Sequence, residues 1–268
     1  MDKQSSVDRA LAHAIRAVGQ PEFAEAFSHC VRQLMPFDNL IILAYHKHHN
    51  PVDFYRECRN PVVYLTMDSH YLKAAYLLDP YYQAHLNGLQ AGVHRLFELA
   101  PDQFRQTSYF REYYQSTTLV DEIAVFARLG SDTTLTACFG RDGSSNQLYS
   151  QQDFAAIKQY EHVLTTLCEL HWQGYVPSEF STERQLPVTE RLREALKQQH
   201  DIRLSGRQAE VAMYILQGHS SLSISLHLGI SRETVKVFRR QLYSKCNISS
   251  QAELFALMMP LFSGLNGA

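Results

Sequence analysis

Basic and hydroxyl side chains recur at helical spacing between Ser231 and Arg240. Lys236 and Arg240 are one helical turn apart and therefore share a face, with Arg239 beside them. An arginine on such a face can bind both acceptors of a guanine edge, and hydroxyls at a helix start suit phosphates. The pattern predicts a helix that contacts DNA. The candidate contacts are Ser231, Arg232, Thr234, Lys236, Val237, Arg239 and Arg240.

The surrounding sequence, residues 204–255, predicts the short helices that would position this face. Ser205 is placed to cap a first helix that stops at Gly218, and Ser220 to cap a second that stops at Gly229. Ser231 then caps the basic helix. Two helices that meet at a tight turn form a helix-turn-helix, in which the second helix enters the major groove.

The apolar residues indicate which side of each helix faces the core. The first helix is expected to bury Val211, Tyr214 and Ile215. The second includes core positions among Leu222, Ile224, Leu226 and Leu228. The basic helix carries the apolar stripe Val235, Phe238, Leu242 and Cys246, which faces away from the candidate DNA contacts.

The stretch closely resembles the C-terminal DNA-binding domain of the LuxR/FixJ family of bacterial regulators. The landmarks are Leu204-Ser205, Arg207, Glu210-Val211, Gly218, Ile224, Leu228-Gly229-Ile230-Ser231, Thr234-Val235-Lys236, Leu242, Lys245 and Ile248. The resemblance implies that Lys236, Val237 and Arg240 face bases, that Thr234 lies near the backbone, and that Glu210 is structural. It also implies that a final helix, residues 250–259, occupies the position of the family's dimerising helix. Gly206, Leu222-Ser223, Phe238 and Cys246 depart from the family pattern.

Charge is divided unevenly along the chain. Residues 200–255 contain seven basic and four acidic side chains, a net of +3, whereas the rest of the 268-residue chain carries −5. A basic module on an acidic body favours local DNA binding. No apolar run or leader pattern suggests a membrane partner, so we expect a cytoplasmic protein. Five scattered cysteines indicate neither a disulfide framework nor a zinc site.

The residues before the basic module predict helices around an antiparallel sheet, an α+β architecture that resembles PAS/GAF-like sensor domains. A helix with the stripe Val7, Leu11, Ile15 and Val18 is followed by one with Phe23, Phe27, Val31 and Leu34. Further helices are predicted at 69–78, 101–116 and 150–172. Ser150 and Asp153 offer a capping box for the last of these, and its expected inward residues are Phe154, Ile157, Tyr160, Leu164, Leu167 and Cys168. The predicted strands are residues 40–45, 52–58, 92–99, 123–129 and 133–139. The first two are expected to pair as one hairpin, and the last two as another around residues 130–132.

These patterns divide the chain into three parts. Residues 1–174 form the predicted sensor domain. Residues 175–199 form a linker and connecting helix, because 174–187 lack periodicity and 189–199 regain it. Residues 200–268 form an all-α helix-turn-helix domain.

The N-terminal part does not match a phosphorylated receiver domain, which needs alternating βαβ units and an acidic pair after its first strand. The early strand ends instead in His46-Lys47-His48-His49. These histidines lack an evident third ligand, so we expect no metal and no cofactor. Motifs for nucleophilic catalysis are absent, so we do not expect an enzyme.

An aromatic-rich stretch suggests instead a pocket for a small organic ligand. Asp79 could anchor an amine or amide, although Asp before Pro is also an ordinary turn. The candidate ligand residues are Tyr64, Tyr71, Tyr76, Asp79, Tyr82 and Phe97. The tyrosines before Asp79 resemble those of acyl-homoserine-lactone receptors. The spacing differs and Trp172 is the only tryptophan, so the "solo" LuxR regulators, which have other ligands, are the nearer resemblance.

The sequence therefore predicts a ligand-responsive regulator that binds double-stranded operator DNA as a homodimer, with RNA polymerase as a further candidate partner. The alternative is a protein-interaction or anti-activator module that dimerises with or sequesters a partner regulator.

Overall fold

The computed structural model describes residues 3–177 and 186–265. The strands are β1 (Asn39–His46), β2 (Val52–Cys58), β3 (Gly92–Arg95), β4 (Leu119–Arg128) and β5 (Thr133–Asp142). The helices are α1 (Lys3–Ala17), α2 (Phe23–Leu34), α3 (Pro80–Leu86), α4 (Leu96–Leu99), α5 (Gln151–Gln159), α6 (Glu161–His171), α7 (Val188–His200), α8 (Gly206–Gln217), α9 (Ser221–Leu228), α10 (Arg232–Cys246) and α11 (Gln251–Leu265). None of the helices in these described residues is long and apolar enough to cross a bilayer.

The described residues form two compact units. The first comprises residues 3–65, 84–99 and 117–177. The second comprises 66–83, 100–116 and 186–265. The predicted domain boundaries at 174 and 200 stay predictions, and most of the predicted linker lies outside the described residues.

The first unit contains a five-stranded antiparallel sheet in the order β2-β1-β5-β4-β3. Both predicted hairpins are confirmed: β1 pairs with β2, and β4 with β5. Strands β1 and β5 are far apart in sequence, and their antiparallel pairing joins the two hairpins at the centre of the sheet. With the helical C-terminal region, this arrangement confirms the predicted fold class.

Helices α1, α2, α5 and α6 pack on one face of the sheet. The predicted stripe of α2 is confirmed, since Phe23, Phe27 and Val31 are fully buried. The predicted stripe of α1 is wrong at Ile15, which is 53% exposed. Alanines 10, 14 and 17 are buried in its place, because small side chains let α1 approach α2 closely.

Three predicted elements are less regular than their periodicity suggested. Residues 69–78 form no α-helix, but a π-helical turn (Met67–Tyr71) and a 3₁₀ turn (Ala75–Leu78). Residues 101–116 are divided in the same way among short 3₁₀ and π-helical turns. The predicted strand 92–99 ends at Arg95 and continues as α4.

The long helix predicted over 150–172 is two helices. The chain leaves helical geometry at Tyr160, whose ψ is 9°. The predicted capping box is confirmed, because Ser150 and Asp153 each bond the other's backbone amide. The predicted inward residues Ile157, Leu164 and Cys168 are fully buried.

In the second unit, α7 to α11 form the helical C-terminal bundle. Each predicted cap is confirmed: Ser205, Ser220 and Ser231 accept backbone hydrogen bonds at the starts of α8, α9 and α10. Gly218 and Gly229 end α8 and α9 in the left-handed conformation, which favours glycine.

The four apolar residues of α9 include a core position, as predicted, but they are not all buried. Ile224 is buried, but Leu222 and Leu226 are 56% and 76% exposed. An eight-residue helix that touches its neighbours on one side buries about one residue per turn, so its remaining leucines face outward.

Candidate DNA-binding surface and ligand site

Gln208 holds α10 against α8. Its side-chain oxygen accepts hydrogen bonds from the Ser205 amide at 3.0 Å and from the Lys245 ammonium at 2.9 Å. Its amide nitrogen donates to Gln241 Oε1 at 3.1 Å. Gln208 is buried, so this network fixes the rotation of α10 about its axis. Gln208 and Gln241 were not among the predicted site residues, although a glutamine three residues after a capping serine was an available signal.

The opposite side of α10 is exposed. Val235 and Leu242 are fully buried beneath it, while Lys236, Val237 and Arg240 face outward. Phe238, from the predicted apolar stripe, is only half-buried. The predicted separation of an inner and an outer face therefore exists on this helix.

The cations of the outer face differ in their partners. Lys236 forms an ion pair with Glu233 at 2.8 Å. Arg239 donates to the Tyr243 hydroxyl at 3.2 Å, and its guanidinium lies over the Tyr243 ring. Among the described residues, Arg240 forms neither a hydrogen bond nor an ion pair. Its guanidinium is therefore available to an incoming ligand.

Two hydroxyl groups lie at the N-terminus of α10, which Ser231 caps. Ser231 Oγ accepts from the Thr234 amide at 3.0 Å and lies 2.8 Å from Thr234 Oγ1. Arg232 is exposed beside them. Hydroxyls and a cation at a helix start suit a phosphate. No observation tests these seven candidate contacts directly, so their roles stay predictions.

Asp79 is the centre of a buried polar cluster in the second unit. Its carboxylate accepts from the Tyr71 hydroxyl at 2.7 Å, the Tyr81 amide at 2.7 Å and, more weakly, the Tyr109 hydroxyl at 3.4 Å. Burial raises the pKa of Asp79, although these hydrogen bonds act in the opposite direction. Tyr113 stacks on the rings of both Tyr71 and Tyr109.

The other ligand candidates occupy separate places. Tyr76 and Tyr82 form an edge-to-face pair with ring centroids 4.8 Å apart, and both are buried. Tyr64 and Phe97 belong to the first unit, where the Tyr64 hydroxyl donates to Asn39 at 3.5 Å. The structure thus brings Tyr71 to Asp79, and the ligand-binding roles of all six stay predictions.

Thr136 is a further polar candidate that was not predicted from the sequence. It lies on β5 between Leu43 and Phe126 of the neighbouring strands, on the sheet face opposite α1 and α2. Its hydroxyl is fully buried and has no hydrogen-bond partner among the described residues. A buried hydroxyl without a partner needs an explanation, and a ligand acceptor or donor would supply one.

The histidines at the end of β1 and just after it, His46, His48 and His49, do not assemble a metal site. His46 is buried and lies near Thr133 and Tyr175, and burial together with His49 lowers its pKa to about 4. Within residues 3–177 and 186–265, no group of three potential ligands has a geometry that could hold a metal ion.

Comparison with known proteins gives matches over two different spans. Residues 203–258 match the family described as bacterial regulatory proteins, luxR family. The chain is also 31% identical over 185 residues to a protein of Aeromonas salmonicida named as an HTH-type transcriptional regulator in the exeN 3′ region. That match covers 68% of this chain and 93% of the relative.

Two solved structures are similar at low identity. The VqsR LBD domain from Pseudomonas aeruginosa is 19% identical, with a TM-score of 0.51, and the match covers 61% of this chain and 94% of that one. Escherichia coli SdiA is 16% identical, with a TM-score of 0.44, over 99% of both chains. The likeness to the VqsR domain shows a shared fold.

Proposed function

This chain belongs to the LuxR family of bacterial transcriptional regulators, and from that premise we propose that α10 reads operator DNA while the N-terminal domain senses a small organic ligand. In this proposal residues 1–174 are the sensor, 175–199 the connection and 200–268 the DNA-binding domain. The observation that carries the DNA-binding role is the exposed face of α10, where Arg240 has no partner among the described residues.

The proposed contacts follow from the placement of side chains on α10. Arg240 and Lys236 reach base edges, and Val237 between them offers an apolar contact to a thymine methyl. Ser231, Arg232, Thr234 and Arg239 contact the phosphate backbone and set the register of the helix. A homodimer would place two such helices on a two-fold symmetric operator.

A binding selection with the full chain tests this role. Duplexes recovered from a random-sequence library are titrated by fluorescence anisotropy against the wild type and the Arg240→Ala and Lys236→Ala variants. A base-edge contact is worth about 1–3 kcal/mol, so each variant should bind roughly 5- to 150-fold more weakly. Arg16→Ala, an exposed arginine of α1, is the charge-matched control and should bind like the wild type. Unchanged binding by both α10 variants would refute the proposed surface.

The exposed leucines of α9 favour the second candidate, an anti-activator that sequesters a partner regulator. Leu222 and Leu226 are one turn apart, and exposed apolar pairs are typical of protein contacts. The same selection separates the two functions, because an anti-activator recovers no preferred duplex sequence.

The proposed ligand combines a hydrogen-bond donor with an apolar body. A donor such as an amide N–H would take the place of Tyr109 at the Asp79 carboxylate, since 3.4 Å is the longest of its bonds. The ring-lined surroundings of Tyr71 and Tyr113 would cover the apolar part.

Two measurements test the ligand role. Mass spectrometry of the denatured full-length protein should reveal a co-purified small molecule, and a metabolite screen should raise its melting temperature. Asp79→Asn should abolish both effects while Asp132→Asn, at an exposed site, keeps them. Equal retention of the molecule by both variants would contradict a role for Asp79.

A further inference from the structure

Residues 102–107 contact the turn between α8 and α9, and all of these residues belong to the second compact unit. The Asp102 carboxylate accepts a hydrogen bond from the backbone amide of Ser220 at 2.9 Å. Ser220 is the N-cap residue of α9. The Gln103 amide donates to the Gly218 carbonyl at 2.8 Å. A segment 115 residues earlier in the chain thus bonds both sides of this turn.

The contact is closely packed as well as hydrogen-bonded. A Cβ at Gly218 would lie 2.7 Å from the Phe104 Cα and 2.8 Å from the Thr107 methyl, so only glycine fits under the segment. Phe104 and Thr107 are themselves buried. The two segments therefore have complementary shapes. A chance contact between polar side chains would leave room for a methyl group at Gly218.

The position of Asp102 opposes DNA binding. In a helix-turn-helix the first helix, here α9, crosses the DNA backbone, and amides at helix N-termini bind phosphate oxygens. The Asp102 carboxylate already occupies the amide at this end of α9, and its negative charge repels a phosphate. We propose that residues 102–107 form an autoinhibitory clamp that must leave α9 before the helix-turn-helix can bind DNA.

The clamp continues directly into the Asp79 cluster. Phe104 packs against Tyr109, with ring centroids 5.9 Å apart, and the Tyr109 hydroxyl bonds Asp79. Thr107 accepts from the Phe110 amide and so joins the clamp to the π-helical turn that carries Tyr109. A ligand that displaces Tyr109 from Asp79 would therefore loosen the clamp and favour DNA binding. This inference rests on the proposed DNA-binding and ligand-binding functions.

Two variants of the full chain test the clamp. Asp102→Ala removes the carboxylate from α9, and Glu112→Ala removes an equal charge from an exposed site nearby. On a duplex selected as above, Asp102→Ala should bind roughly tenfold more tightly than the wild type, the factor of an ordinary charge-assisted hydrogen bond. Glu112→Ala should bind like the wild type. Equal affinities of Asp102→Ala and the wild type would overturn the clamp.

Hydrogen exchange of the wild type gives an independent readout. Saturating duplex should speed exchange in a peptide covering residues 102–107, because the Gln103 amide loses its Gly218 partner, while α10 gains protection. Unchanged protection of 102–107 would overturn the clamp even though α10 is protected, and the proposed DNA-binding function would then stand. Binding by none of the variants would overturn both.

Discussion

Replacing Gln208 with alanine should destabilise the helical C-terminal domain by about 2 kcal/mol. The side chain is 4% exposed and makes three hydrogen bonds, one with Ser205 at the start of α8 and two with Gln241 and Lys245 on α10. Alanine keeps the helix but removes all three bonds and leaves a small void between α8 and α10.

The magnitude follows from the kind of partner. Two of the bonds are neutral, at about 0.5–1 kcal/mol each, and the Lys245 bond involves a charge, at about 1.5 kcal/mol. Gln241 and Lys245 are exposed, so water replaces part of what they lose. The net loss is therefore about 2 kcal/mol, below the simple sum of the three.

Urea unfolding followed by far-ultraviolet circular dichroism measures this loss. The midpoint of the helical transition should fall by about 1 M for a slope of ~2 kcal/mol/M. Gln241→Ala is the matched control, because it removes one of the three bonds at an exposed position and should cost under ~1 kcal/mol. A loss for Gln208→Ala no larger than that of the control would refute the view that Gln208 positions α10.

Three further predictions concern the sheet-containing unit. Burial lowers the pKa of both His46 and His85 to about 4, so the unfolded chain binds more protons below pH 6.5. Stability should accordingly be lost as pH falls from about 6.5 towards 4, and the double change to asparagine should flatten the profile of melting temperature against pH. Gly140→Ala should lower the melting temperature, since its Cβ would lie 2.2 Å from the buried Asn39 side chain; an unchanged value would contradict that close approach. Thr136→Val should raise the stability of the ligand-free protein by about 1 kcal/mol, because it removes a buried hydroxyl without a partner, yet weaken retention of any bound ligand. Calorimetry checks the first part and mass spectrometry the second, and a lower stability would show that the hydroxyl is satisfied.

Local patterns predicted the elements with strong start and stop signals. Ser205, Ser220 and Ser231 cap helices as expected, because a hydroxyl satisfies amides within its own turn and needs no distant partner. Alternation and the turn at residues 130–132 likewise predicted the β4–β5 hairpin. These features depend on neighbours in sequence, and the fold class followed from their order.

Where the predictions failed, distant contacts overrode local periodicity. Residues 101–116 have a helical pattern, but Gln103 bonds Gly218 and Tyr109 bonds Asp79, and regular α-helix was replaced by short 3₁₀ and π-helical turns. Ile15 faces outward because Ala10, Ala14 and Ala17 lie on the inner side of α1, where their small side chains let it approach α2 closely. The spacing of residues within 101–116 could not identify Gly218 or Asp79 as hydrogen-bond partners.

The sequence by itself determined the helix-turn-helix, its caps and the composition of its basic face, because these depend on residues within a few turns of one another. Only the tertiary structure decided which side of α10 is held against α8, where the buried Gln208 bonds Gln241 and Lys245. It also decided that Asp102 lies against the cap of α9. The reason is physical: a hydrogen bond between residues 118 positions apart depends on the folded path of the chain, which no local pattern specifies.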